Sequence, residues 1–216
     1  MKQQKATWNL ETIAERAHAI FTAEDTAREE ALRLCREIVR YSALSIRNIH
    51  RRDEHSARKN LNSARSLLDE LEHKTSKHQD LAHTGFIHDA QKELAEAAIT
   101  LAITTGEPLP EPEGLKISYP AYFNGLGEAV GELRRYILDH LRQNDFSRCE
   151  ELLEAMQDIY DTLMGMDFPD AITWGLRRVT DNVRGILEKT RGDLTLALRQ
   201  KKLEERLEKT DHNSPA

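Results

Sequence analysis

Apolar residues recur at intervals of three and four along most of the chain, the spacing of one face of an α-helix. No stretch alternates apolar and polar residues as a strand does, and no internal repeat is present. The pattern predicts a first helix that begins at Trp8 or Asp25 and ends at His50, and further helices over 54–74, 78–104, 120–142, 146–164, 169–189 and 194–207. The sequence therefore predicts an all-α, single-domain bundle of about seven helices over residues 1–208, followed by a disordered polar tail over 209–216.

The longest interruption of the helical pattern is the segment 107–118, which contains Pro108, Pro110, Pro112 and Gly114. Proline fixes its own φ and disfavours helical backbone in the residue before it, so this segment is expected to be nonhelical. Because helical pattern flanks the segment on both sides, we interpret it as an external loop of one bundle rather than a domain boundary.

Composition and charge narrow the class of protein. Charged residues make up 31% of the 216 positions and aromatic residues 6%, which is typical of long amphipathic helices. The 31 basic and 37 acidic residues give a net charge of -6, so an anionic partner must be bound by a local patch. No apolar run is long enough to cross a membrane, Cys35 and Cys149 form no CxxC motif, and no secretory segment is recognisable. A cytoplasmic protein is expected.

One half-helix combines burial with acidic residues. Residues 94–106 are apolar on every side apart from Glu96, so this carboxylate is expected to be buried, and Glu93 precedes it by three residues. A buried carboxylate needs a partner because an isolated one takes up a proton. The partner is either an arginine from another helix or a divalent cation shared with other carboxylates.

Further carboxylates come from the helix predicted over 120–142. Glu128 and Glu132 lie one turn apart, opposite the apolar stripe, among small residues: Gly125, Gly127, Ala129 and Gly131. Glycine inside a helix costs about 1 kcal/mol relative to alanine, so these glycines indicate the close approach of another backbone or of a ligand. Four carboxylates suit a hard cation such as Mg²⁺ or Mn²⁺. A solvated face for Glu128 and Glu132, and an ion pair for the buried helix, are the alternatives.

Basic residues concentrate at the end of the first predicted helix and the start of the second. This cluster is predicted to follow a phosphate backbone, with a solvated helical corner as the alternative, and consists of Arg47, Arg51, Arg52, Arg58 and Lys59. Arg134 and Arg135 follow Glu132 closely and are predicted to hold a phosphate beside a metal ion.

The segment PAYFNGLGEAVGELRR, residues 120–135, resembles the P-x-x-Y-x-x-G-x-x-D-x-x-G-E-L-x-R signature of the translin family, with the tyrosine displaced by one position. The segments ALRLCREIVRYSALSIRNIHR, QKELAEA, YDTL and GLRRVTDNV follow the family order. The likeness extends from about Asp25 to Arg199 and is strongest to the translin-associated factor X (Trax) branch.

The resemblance implies a seven-helix bundle that assembles into a hollow octameric barrel and handles single-stranded RNA or DNA. For the Trax branch it also implies a metal-dependent endoribonuclease whose acidic cluster faces the barrel interior. That cluster falls here on Glu93, Glu96, Glu128 and Glu132, and the family usually has Asp at the position of Glu128.

The expected function is therefore a homo-oligomeric, Mg²⁺-dependent endoribonuclease for single-stranded RNA, with Mn²⁺ as an alternative ion. Two other functions remain open: a noncatalytic translin-type protein that binds single-stranded RNA or DNA, and a helical scaffold that binds no nucleic acid. Assembly is also expected from apolar residues predicted to exceed what one bundle hides, among them Ile159, Leu163 and Trp174.

Overall fold

The computed structural model describes residues 9–76, 81 and 84–212. Helices α1 to α8 span Leu10–His50, Glu54–Thr75, Gly85–Thr105, Pro112–Leu115, Tyr119–Leu141, Cys149–Met164, Asp170–Thr173 and Leu176–His212. No strand is present in these ranges, which confirms the predicted all-α class.

Helix α3 lies at the centre of the bundle. It packs against α1, α2 and α5, and α5 packs in turn against α6 and α8. Every residue from 94 to 102 is buried, as the all-round apolar pattern predicted, and Glu96 is the one charged residue among them. One apolar core joins side chains of the long helices, including Leu34, Ile38, Ile99, Leu133 and Met156. The core therefore holds α3 and α5 in a fixed relation.

The first helix runs without a break from Leu10, which agrees with the predicted start near Trp8 and not with the alternative at Asp25. Other predicted limits were wrong, since α8 continues through Gly192, where a break was predicted. A glycine costs a helix only about 1 kcal/mol, and Leu187 and Leu194 are buried on either side of it, so packing carries the helix through. Helix α8 also reaches His212, past the predicted start of the tail, and residues 213–216 lie outside the described residues.

The proline-rich loop contains one helical turn that was not predicted. Helix α4 begins at Pro112, and proline suits the first helical position because its missing N–H would have no partner there. Leu115 and Ile117 are buried and fix the loop against the core. Helix α3 begins at Gly85, and most of the predicted first turns from His78 lie outside the described residues.

The apolar surface differs from the predicted one. Ile159 and Leu163 are buried in the core, so neither contributes to a surface that other copies cover. Trp174 is 45% exposed, and large apolar neighbours in sequence, Met164, Phe168 and Ile172, are exposed too. Across the described ranges no helix is long and apolar enough to cross a membrane.

Candidate metal centre and nucleic-acid interface

Three of the four predicted carboxylates meet where α3 and α5 cross. One oxygen from each of Glu93, Glu96 and Glu128 lies within 4.8 Å of the others. We call these three residues the acidic cluster. Glu96 is buried, while Glu93 and Glu128 are half-buried and supply the side of the cluster nearer to solvent.

Gly125 permits the two helices to come this close. A Cβ at this position would lie 2.6 Å from the Lys92 carbonyl oxygen and 3.0 Å from the Glu96 backbone nitrogen, which are too close for any other residue. Gly127 does the same toward α8, because a Cβ there would collide with Val179. The glycine pattern thus marks close helix contacts, as predicted. Gly131 differs, since nothing lies within 4 Å of the position its Cβ would take.

Burial and mutual repulsion change how the acidic cluster titrates. Burial, and then the charges of Glu93, Glu128 and Glu132, raise the pKa of Glu96 to about 8. The pKa of Glu93 is also raised, mainly by burial. Without a nearby cation, Glu96 therefore carries a proton at neutral pH, whereas a cation among the carboxylates would favour its ionised form.

Lys92 supplies a positive charge at the edge of the acidic cluster. Its Nζ donates a hydrogen bond of 2.7 Å to Glu128 Oε1 and lies 3.7 Å from Glu93 Oε1. Burial lowers the pKa of Lys92, but the bond to Glu128 and the surrounding carboxylates outweigh it and hold the pKa above its usual value. Lys92 was not predicted from the sequence, although it lies one helical turn before Glu96. The arginine considered there is absent: no described arginine pairs with Glu93 or Glu96.

Glu132 stands apart from the acidic cluster. Its Oε2 lies 2.5 Å from Nε2 of His50, at the end of α1, and this hydrogen bond is the main reason that the pKa of Glu132 is lowered. Nδ1 of His50 is buried, has no hydrogen-bond partner among the described atoms, and lies 4.0 Å from Asp139 Oδ2. His50 was not predicted, and its place in sequence beside Arg51 was the available signal. The structure therefore does not bring the fourth predicted ligand into the acidic cluster, although the charge of Glu132 contributes to the raised pKa of Glu96.

The predicted basic cluster divides into two parts. Arg58 is paired with Glu54 at 2.8 Å and with Glu107 at 2.7 Å, so two carboxylates already offset its charge. The other four side chains are exposed, and within the described part of the chain none of them forms a salt bridge. We call these four the basic corner: Arg47, Arg51, Arg52 and Lys59. Arg51 of the basic corner directly follows His50 in the sequence, and His50 is hydrogen-bonded to Glu132.

The two arginines after Glu132 also separate. Arg134 bonds across to α8, where its guanidinium lies 2.8 Å from Asp193 Oδ2 and 3.1 Å from Thr190 Oγ1, so the prediction that it holds a phosphate beside a metal is not supported by its contacts. Arg135 is exposed and lies 3.8 Å from Glu132 Oε2. Of the pair, Arg135 stays on the Glu132 side, where its exposed guanidinium can meet an anion.

A cavity of about 600 Å³ opens next to the acidic cluster, between α3, α5 and the start of α8. Its wall includes Lys92 and Glu128 on one side and Trp174 and Arg178 on the other. Neither Trp174 nor Arg178 was predicted as a site residue. The surface beside the carboxylates is thus concave and carries both aromatic and charged groups.

The fold and the site define an all-helical bundle with three carboxylates between α3 and the glycine-rich helix α5. No family model matches the chain. The chain is 34% identical over 191 residues to the uncharacterized protein MJ0175 of Methanocaldococcus jannaschii, which covers 86% of this chain and 83% of that protein.

Solved structures give the family. AfC3PO in complex with duplex RNA matches with a TM-score of 0.76 and 34% identity, over 89% of this chain and 98% of that one. AfC3PO alone matches with a TM-score of 0.74 and 33% identity, over 89% and 98% of the two chains. Apo-NeC3PO shares the fold at 20% identity, with a TM-score of 0.75 over 90% of this chain and 100% of that one. The chain belongs to the C3PO/translin family.

Proposed function

We propose that this protein is a metal-dependent endoribonuclease of the Trax branch, in which Glu93, Glu96 and Glu128 hold Mg²⁺ or Mn²⁺. The observation that carries the proposal is the acidic cluster itself: three carboxylates from two helices, with oxygens within 4.8 Å of one another. Burial and the charges of Glu93 and Glu128 disfavour the ionised form of Glu96, and a divalent cation among the three carboxylates would offset that cost.

The donor set fits a hard divalent cation. All three ligands are carboxylate oxygens, the type that Mg²⁺ and Mn²⁺ prefer. Glu128 replaces the aspartate usual in the family, and its longer side chain still brings an oxygen within 4.8 Å of the other two. Glu132, predicted as the fourth ligand, is not among the three clustered carboxylates, and its proposed part is that of an ionised carboxylate that His50 orients near them.

RNA is the proposed substrate. The relative AfC3PO has been solved with duplex RNA. In this chain, the exposed cations of the basic corner are suited to a phosphate backbone, and Arg135 lies exposed beside Glu132. A bound Mg²⁺ would supply Lewis-acid stabilisation of the phosphoryl oxygens and a water of lowered pKa. Arg135 would offset charge on the substrate phosphate, and His50 would keep Glu132 ionised and aligned.

The proposal includes a homo-oligomer, with eight copies as the expected number, that encloses the acidic clusters in its interior. Single-stranded RNA is the preferred substrate in this view, single-stranded DNA a further ligand, and the cytoplasm the compartment. Exposed apolar side chains near α7, such as Phe168 and Ile172, offer surface for such an assembly.

A noncatalytic RNA-binding protein is the second candidate, and Lys92 is the observation that favours it. Its ammonium already lies among the carboxylates, 2.7 Å from Glu128 Oε1, and offsets part of their charge without a metal. If Lys92 replaces the cation, the chain binds RNA and does not cut it.

The decisive experiment measures metal binding and RNA cleavage in the same variants. Manganese binding followed by electron paramagnetic resonance should give saturable sites in the wild type, and labelled single-stranded RNA should be cleaved with Mg²⁺ but not with EDTA. Glu96→Gln should lose both, whereas the exposed α8 carboxylate variant Glu204→Gln should keep both. Tight RNA binding without manganese binding or cleavage would favour the second candidate. Cleavage that persists in EDTA would contradict the metal proposal.

A further inference from the structure

The cavity of about 600 Å³ beside the acidic cluster has the properties of a nucleotide site. We call it the nucleotide cavity. Its lining shares Lys92 and Glu128 with the proposed metal centre and adds His88, Asp89, Trp174, Arg178 and Asn182. Any group that enters the cavity therefore lies next to the carboxylates.

The aromatic wall of the nucleotide cavity is Trp174. Its indole is stacked on the imidazole of His88, with ring centroids 4.3 Å apart and planes inclined by 11°. His88 is buried, and burial lowers the pKa of its ring, so a neutral imidazole backs the indole at neutral pH. Trp174 itself remains 45% exposed. A supported indole that is open to a polar cavity is suited to stacking with a nucleobase.

The position of Trp174 is fixed by the helix that carries Glu128. Trp174 has φ 56° and Gly175 has φ 80°, so the chain turns through two successive left-handed residues. Tryptophan rarely adopts this conformation, and it persists where surrounding contacts enforce it. Asn124, which is 3% exposed and one turn before Glu128 in α5, donates from Nδ2 to the carbonyl oxygen of Thr173 at 2.8 Å. The indole and the Glu128 carboxylate are thus held by one helix.

Arg178 gives the nucleotide cavity one cation that is available to a phosphate. Arg178 is exposed and lines the cavity, and no described carboxylate pairs with it. The other cation of the lining, Lys92, lies on the side of the metal centre. The lining also carries two carboxylates, Asp89 and Glu128, and both act electrostatically on Lys92. Arg178 forms no ion pair among the described residues, so its guanidinium is the cation that remains available to a phosphate near the aromatic wall.

We propose that the nucleotide cavity binds one unpaired nucleotide of the RNA, with its base stacked on Trp174 and a phosphate at Arg178, beside the acidic cluster. This inference rests on the proposed function for its place in catalysis. A base within a duplex is already stacked and paired, so the cavity selects RNA that is single-stranded at this point. Trp174 and Arg178 are then specificity-determining residues.

Direct binding can be measured without catalysis. The chain has two tryptophans, so in a Trp8→Phe background the fluorescence reports Trp174 alone. Adenosine 5′-monophosphate should quench it saturably, whereas ribose 5-phosphate, which has no base, should not. Arg178→Gln should weaken the binding several-fold, and Arg177→Gln, an exposed neighbour that does not line the cavity, should leave it unchanged. Equal quenching by both compounds, or none by either, would overturn the inference.

Kinetics then separate this inference from the proposed function. Trp174→Ala should raise KM for single-stranded RNA by about tenfold or more, leave kcat within about twofold, and keep manganese binding, while Trp174→Phe should recover most of the loss. An unchanged KM in a wild type that binds manganese and cleaves RNA would overturn the cavity assignment alone. Absence of manganese binding and cleavage, with quenching intact, would overturn the proposed function alone. A change of oligomer size in Trp174→Ala by light scattering would identify the cavity as a contact between copies and overturn the inference.

Discussion

Nε2 of His50 lies 2.5 Å from Oε2 of Glu132 and joins the end of α1 to the acidic side of α5. The hydrogen bond lowers the pKa of Glu132, whereas burial raises the pKa of Glu96 to about 8. Two glutamates in one site thus favour opposite protonation states at neutral pH. Such divergence within a cleft is a property of functional sites, because acid and base roles need different pKa values.

The first prediction concerns this hydrogen bond. His50→Ala should lower the free energy of unfolding at pH 7 by about 1.5 to 3 kcal/mol, the range for a hydrogen bond to a charged group. Because the folded-state pKa of Glu132 is depressed, the stabilisation is present above the unfolded-state value and is lost as pH falls through the folded-state value. Urea unfolding between pH 7 and pH 3 should show the loss shrinking with acidity. The exposed His55→Ala is the control, and a loss that is the same at every pH would contradict the assignment.

The second prediction concerns the stability of the metal-free protein. The folded-state pKa of Glu96, about 8, lies above the ordinary glutamate value of 4.5, so wild-type stability should fall as pH rises between these two values, by about 1.4 kcal/mol per unit at most. Glu96→Gln removes this dependence. The variant should match the wild type near pH 4 and melt at a higher temperature at pH 8, in EDTA. Glu204→Gln is the control and should keep the pH dependence of the wild type. If the stability of Glu96→Gln still falls with rising pH, another group causes the dependence.

The third prediction concerns protons released on metal binding. At pH 7 Glu96 is mostly protonated without metal, since its pKa is about 8, and it must ionise to act as a ligand. Calorimetric titration with Mn²⁺ in buffers of different ionisation enthalpy should show close to one proton released per site. The release should fall toward zero above pH 9. Binding that releases no proton at pH 7 would mean that Glu96 is not a ligand.

The fourth prediction concerns Lys92 as an internal competitor of the metal. Lys92→Met removes the ammonium 2.7 Å from Glu128 Oε1 and should increase manganese affinity several-fold while lowering the melting temperature in EDTA. Lys116→Met breaks an exposed pair of similar length with Asp69, 2.8 Å, and should change neither manganese affinity nor its pH dependence. Weaker manganese binding in Lys92→Met would show that the lysine orients the carboxylates instead of competing.

The fifth prediction concerns the basic corner. Arg47→Gln and Arg51→Gln should each weaken single-stranded RNA binding, and the slope of log affinity against log salt should fall by about 0.7 for each phosphate that the variant no longer neutralises. Arg58→Gln is the matched control, because Glu54 and Glu107 already neutralise it. An equal effect of Arg58→Gln would mean that exposure and pairing do not govern binding. If Arg47→Gln and Arg51→Gln leave both the affinity and the salt slope unchanged, the corner is only a solvated surface.

The burial of the second half of α3 could be predicted because its sequence is apolar on every face of the helix. Apolar residues on every side of 94–102 require burial on every side, so the depth of Glu96 followed from the sequence. The glycines of α5 likewise predicted close helix contacts. In both cases the residue type alone indicates burial or close contact, and the identity of the neighbouring helix is not needed.

The partners of the site could not be predicted because they depend on the angle at which helices cross. Adjacent residues on a helix diverge by about 100°, so Arg134 bonds to α8 while Arg135 stays near Glu132. His50 meets Glu132 across 82 positions of sequence, a separation that no local pattern encodes. Trp174 enters the site through a left-handed turn, which helical periodicity does not reveal.

The close approach at Gly125 means that a related protein can lose the metal site without losing any of its carboxylates. The gap between the two halves of the acidic cluster is set by the absence of one methyl group, since a Cβ there would press on the backbone of Lys92 and Glu96. A relative with alanine at this position could retain every glutamate and still hold the two helices too far apart to share an ion. Metal binding would then be lost through a substitution at a residue that has no functional group. A comparison of the carboxylates alone would not detect this loss.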